Sequence, residues 1–92
     1  MSEAIAGVAL RLAQDRSVVG DFAGAQDAAR RGLDGAPEEY ALWEAGAVAI
    51  DARNDTTVLG RWMTDASHHI DPAGLARVEA TLRAGHDGSP QS

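Results

Sequence analysis

Apolar residues recur along this chain at spacings of three and four, the period of one helix face rather than the alternation of a half-buried strand. The most compact unit is GDFAGAQDAARRGLDGAP, Gly20 to Pro37, in which Phe22, Ala25, Ala29, Gly32 and Leu33 share one side. Asp21 stands where a carboxylate accepts from the free N–H groups of a first turn and complements the helix dipole, while Gly35 and Pro37 mark the stop. A preceding helix, with Ser2 as cap and Glu3 as first-turn acid, is expected to bury Ile5, Val8, Ala9, Leu12 and Ala13 and to end near Val19 at Gly20. A third should start at Pro37, followed by Glu38 and Glu39, with Trp43, Gly46, Ala47 and Ile50 inside and Leu42 at the border.

Asn54-Asp55 then turns the chain into a fourth helix, whose Val58, Leu59, Trp62, Met63, Ala66 and Ile70 form the cleanest stripe. Asp71-Pro72 opens a fifth with Leu75, Val78 and Leu82, and Gly85 is expected to close it. Residues His86 to Ser92 carry nothing apolar and read as a disordered tail. The pattern thus predicts an all-α domain over 1–85, of about five short antiparallel helices, with 86–92 as tail.

The second and fourth helices are related by a shift of thirty-four residues: Gly20-Asp21 is matched by Asn54-Asp55, and Ala25, Ala29 and Gly32 by Leu59, Met63 and Ala66. A helix before and a helix after each turn, repeated at this period, resembles the tetratricopeptide repeat. Leu12 and Ala13, the Gly20-Asp21 turn, Ala25 and Pro37 match that family in the first copy. Trp43, Gly46 and Ala47 match it in the second, where Leu59 replaces an alanine and Pro72 falls one residue late. The resemblance implies two helix-turn-helix repeats and a C-terminal capping helix. It also implies a concave ligand surface on the first helix of each pair, which selects Leu10, Gln14, Ser17, Glu44, Val48 and Asp51. That set would suit a basic or apolar segment of a partner.

A narrower resemblance covers Gly20 to Asp55. The GD turn with Ala25, the run Ala29-Arg30-Arg31-Gly32-Leu33, Pro37 followed by acids, Leu42-Trp43 and the Asn54-Asp55 turn are similar to the bacterial transcriptional activator domain of actinobacterial regulators. Arg61-Trp62 and Asp71-Pro72 stand where that family continues. The likeness implies a regulatory protein-interaction domain, often attached to a winged-helix DNA-binding module. No such module lies in these 92 residues, so the chain reads as a fragment of a longer regulator or as a stand-alone relative. The alternative is a structural or oligomerisation adaptor unrelated to transcription.

Composition narrows this further. The chain is 45% apolar, but much of that is alanine, so the four aromatics Phe22, Tyr40, Trp43 and Trp62 should anchor the core. A net charge of −6 opposes direct nucleic-acid binding, which needs a cationic face to release counterions. All eight basic residues are arginine, as in high-GC bacterial coding sequences. No cysteine is present, which removes disulfides and thiolate metal sites, and no apolar run approaches a membrane span. A cytoplasmic location is expected, with no membrane partner and no cofactor.

Candidate chemistry is sparse. His68 and His69 diverge by about 100° on a helix, so they do not chelate as an i, i+4 pair would. A metal site would need His68, Asp71 and His86, and a solvated helix end is the simpler reading. Glu38-Glu39 read as dipole complements and Arg30-Arg31 as a solvated face. Ser17, Ser67 and Ser89 sit in no nucleophile motif, so no catalytic residue, no metal and no enzymatic activity are expected. Trp62, on a stripe wide enough to be partly exposed, is a candidate interface anchor. Two repeats are fewer than usually stand alone, so a homodimer or docking onto a neighbouring domain is expected through the edge beside the first or fifth helix.

Overall fold

The computed structural model describes residues 2–87, with side chains over 7–85. Among these residues the chain is five α-helices without a strand: α1 (Ser2–Val18), α2 (Phe22–Gly35), α3 (Tyr40–Ala52), α4 (Thr56–Ser67) and α5 (Pro72–Asp87). Each packs on its neighbour in sequence, α1 and α3 also meet, and α5 lies against α3 as well as α4. The arrangement is two helical hairpins in series, α1–α2 and α3–α4, followed by a helix that lies along the second hairpin.

The turns between paired helices follow directly from sequence. Gly20 takes φ 84° and Asn54 takes φ 60°, the left-handed conformation that glycine adopts freely and asparagine tolerates. Each is followed by an aspartate cap: Asp21 Oδ1 accepts from the Gly24 N–H at 3.0 Å, and Asp55 Oδ1 from the Val58 N–H at 3.2 Å. The Gly24 N–H holds the Asp21 carboxyl below the ordinary carboxylate range, helped by the Arg16 guanidinium 2.9 Å away. Asp71 Oδ1 caps α5 in the same way, accepting from the Gly74 N–H at 2.8 Å.

The core runs through both hairpins. Ala9, Ala13, Ala28, Ala29 and Leu33 form its first half, and Leu42, Trp43, Ala47, Ile50, Trp62 and Ala66 its second, closed by Ile70 and Val78. Leu42, Ile50 and Val78 are the largest fully buried side chains, each contributing about 1.5–3 kcal/mol of transfer free energy on burial. The close approach of α2 is set by Gly32, where a Cβ would meet Ala9 on one side and the Leu42 methyls, 2.9 Å away, on the other. Gly46 plays the corresponding part for α3, since a Cβ there would overlap the Trp62 ring.

Several expectations are corrected. Val8 and Leu12, assigned to the buried face of the first helix, are 69% and 42% exposed. The packed side of α1 carries Ala9 and Ala13, with Leu10 partly buried beside them. The side chain of Ile5 lies outside the described residues. Leu42 is central rather than peripheral, because Gly32 leaves room for it. The third helix starts at Tyr40, not Pro37, because the Pro37 carbonyl turns to accept the Trp43 Nε1–H at 2.7 Å. Finally, α5 does not stop at Gly85: it continues through His86 to Asp87, into the stretch expected to be a tail, and 88–92 lie outside the described residues.

Candidate interaction groove

The first helices of the two hairpins lie side by side, and their helical period brings alternate turns of each to the same face. Leu10, Gln14, Ser17 and Val18 come from α1, and Ala41, Glu44, Ala45 and Val48 from α3. Together they line a groove of about 390 Å³, with Thr81 of α5 at one side. Thr81 Oγ1 donates to Glu44 Oε2 at 2.6 Å, so the fifth helix fixes the orientation of the one charged side chain in the lining. Val48 is exposed on the wall, and Leu10 packs its inner side onto the core.

Five of the six residues expected on the concave surface therefore share one groove, and Asp51, one turn beyond Val48, is not in its lining. The lining is mostly apolar, with Gln14 and Ser17 able to donate and accept and Glu44 able to accept. An apolar or basic segment is matched by this set. Glu44 is its only titratable group, so the groove holds no paired acid and base of the kind proton transfer requires.

Trp62 does not project as an interface anchor. It is 4% exposed, its ring fills the space left by Gly46, and its Nε1–H donates to the Trp43 carbonyl at 2.8 Å. The two indoles meet edge to face with centroids 5.1 Å apart. Sequence reasoning also missed what covers this pair. His69 stacks on Trp43 at 5.7 Å and 13°, and the Arg30 guanidinium lies 5.9 Å above the Trp62 ring. Arg30 and His69 thus shield aromatic surface, and they rim a shallow crevice of about 330 Å³ with Asp34 and Asp65. Periodicity could not have signalled either contact, because both residues lie outside the apolar stripes. Arg31 pairs with Asp27 at 3.0 Å on the solvent side of α2.

Asp71 is engaged as the α5 cap, and the side chain of His86 lies outside the described residues. Among the described residues no three His, Cys, Asp or Glu side chains converge in a way that could hold a metal ion. No helix among them is long and apolar enough to cross a membrane. Comparison with protein-family models, curated proteins and solved structures gives no match.

Proposed function

We propose that this chain is a non-catalytic protein-interaction module that holds a basic or apolar segment of a partner in the groove between α1, α3 and α5. The observation that carries the reading is the convergence of Leu10, Gln14, Ser17, Glu44 and Val48 from two successive hairpins on one groove of mostly apolar lining. A single acid, Glu44, would select against acidic segments. The likeness of Gly20 to Asp55 to the bacterial transcriptional activator domain supports a regulatory role, in which the module, in the cytoplasm, receives a partner or a neighbouring domain of a regulator.

Random peptides selected against the whole chain test this directly. Basic and apolar peptides should be enriched, and Glu44→Arg should weaken the basic ones, and Val48→Asp the apolar ones, tenfold or more, about 1.4 kcal/mol. Enrichment of acidic peptides, or binding indifferent to Glu44→Arg and to Val48→Asp, would count against the groove. A second reading, an oligomerisation adaptor, draws on the exposed Val8, Leu12, Val18 and Val19. Light scattering over a tenfold dilution separates them, since a homodimer loosening on dilution would favour the adaptor.

A further inference from the structure

Thr81 carries a hydroxyl that bonds outside its own helix. Thr64 of α4 donates back to the Gly60 carbonyl one turn earlier at 3.0 Å, the local partner open to a helical threonine. Thr81 of α5 instead donates across to Glu44 Oε2 on α3 at 2.6 Å. Among the described residues no other group donates to the Glu44 carboxylate, so Oε1 is left to accept from a ligand in the groove. The Thr81 hydroxyl has spent its one proton on Oε2 and presents only lone pairs. Glu44 and Thr81 therefore act as a pair of acceptors, and their geometry bears on which cation they suit. A guanidinium binds a carboxylate best as a fork, with two parallel N–H groups on two coplanar oxygens. With Oε2 already engaged, that fork loses a prong or must displace Thr81. An ammonium makes no such demand. Its three N–H groups radiate from one atom and suit acceptors that do not lie in one plane, here Oε1 and Thr81 Oγ1.

Resting on the reading of the groove as a site for a partner segment, we infer that it selects lysine over arginine in that segment, and that Thr81 is the positioning residue that sets the choice by occupying one oxygen of Glu44. The apolar part of the lining, Leu10, Ala41, Ala45 and Val48, matches the four-carbon stem of a lysine whose ammonium reaches the acid. The preference belongs to the pair and not to the acid alone, because an unengaged carboxylate would favour the arginine fork.

The probe is a set of three peptide pools with random apolar flanks and a fixed central lysine, arginine or norleucine, competing for the immobilised whole chain. Lysine should be recovered about fivefold or more over arginine, and about tenfold or more over norleucine. Thr81→Val keeps the shape of the side chain without its hydroxyl, and should bring arginine level with lysine or above it. Thr81→Ser should retain the lysine preference. Thr81 is exposed, so neither change should move the thermal midpoint by more than about 3 °C. Arginine recovered as well as lysine by the original chain, or a lysine preference that survives Thr81→Val, would overturn the inference and leave the groove as a site for basic segments. Norleucine recovered as well as either cation would overturn it together with the basic half of that reading. No recovery of any pool would overturn the groove itself, and the inference with it.

Discussion

The two hairpins share the same turn, yet they are filled in opposite ways. In α1–α2 the contact is made by Ala9, Ala13, Ala25, Ala28, Ala29 and Gly32, small groups that let the helices lie close. In α3–α4 it is made by Trp43 and Trp62, with Gly46 as the space that admits an indole. Position by position, Leu12 and Ala28 of the first hairpin become Gly46 and Trp62 of the second. Bulk has moved from the first helix to the second, and from a 42% exposed side chain to a 4% exposed one. A helical repeat therefore conserves turn geometry and face, while the volume at the contact is free to be redistributed.

That contrast can be broken most severely at Trp62. Trp62→Ala removes the largest contact of the second hairpin and its hydrogen bond to the Trp43 carbonyl, and should cost about 3–5 kcal/mol in urea unfolding. For a chain of this size, such a loss approaches its whole stability. Ala28→Gly, at the equivalent place in the first hairpin, removes a single methyl group and should cost less, about 1–2 kcal/mol including the lower helix propensity of glycine.

Gly46→Ala should be next. Its methyl would overlap the Trp62 ring, a strain of about 1–3 kcal/mol, reduced by the roughly 1 kcal/mol that alanine gains over glycine within a helix. If the strain comes from the indole, combining the change with Trp62→Phe should give a total cost below the sum of the single ones. Additive costs in that double-mutant cycle would show that the two positions are not coupled.

The turns sharpen the comparison in the other direction, because here the hairpins agree. Gly20→Ala should cost about 1 kcal/mol, as φ 84° is strained for any residue with a Cβ, whereas Asn54→Gly should be neutral or slightly stabilising. Equal losses at the two sites would mean that the turns are not equivalent.

The smallest effect expected concerns acid. The carboxyl of Asp21 is held low by the Gly24 N–H and by Arg16, so its contribution is present above its unfolded value of 3.8 and is lost as pH falls through its lower folded value. Asp21→Asn should flatten the acid limb of a stability–pH curve by lowering the neutral region slightly, and leave the acid end, where Asp21 is already protonated, nearly unchanged. A steeper acid limb would contradict the assignment. The second hairpin has the buried Ile50 where the first has Arg16, so the Arg16–Asp21 pair is a feature of the first turn.

What could be read without coordinates was what depends on neighbours in sequence. Asp21, Asp55 and Asp71 announce helix starts because a capping carboxylate reaches only two or three residues along the chain. Gly20 and Asn54 announce turns through their own backbone freedom, and the thirty-four-residue period fixed the order of the hairpins and brought Leu10, Gln14, Ser17, Glu44 and Val48 toward one groove. What depends on a distant partner could not be read. Val8 and Leu42 are both apolar at equivalent positions, and among the described residues Leu42 is covered by α2 while Val8 is 69% exposed. Trp62 as an interface anchor, and Arg30 and His69 as solvated groups, are misread for the same reason, since a side chain's surroundings are set by what the rest of the chain places beside it. Local hydrogen bonding and periodicity are properties of the sequence, but burial is a property of pairs of surfaces, and tertiary structure alone decides which surfaces meet.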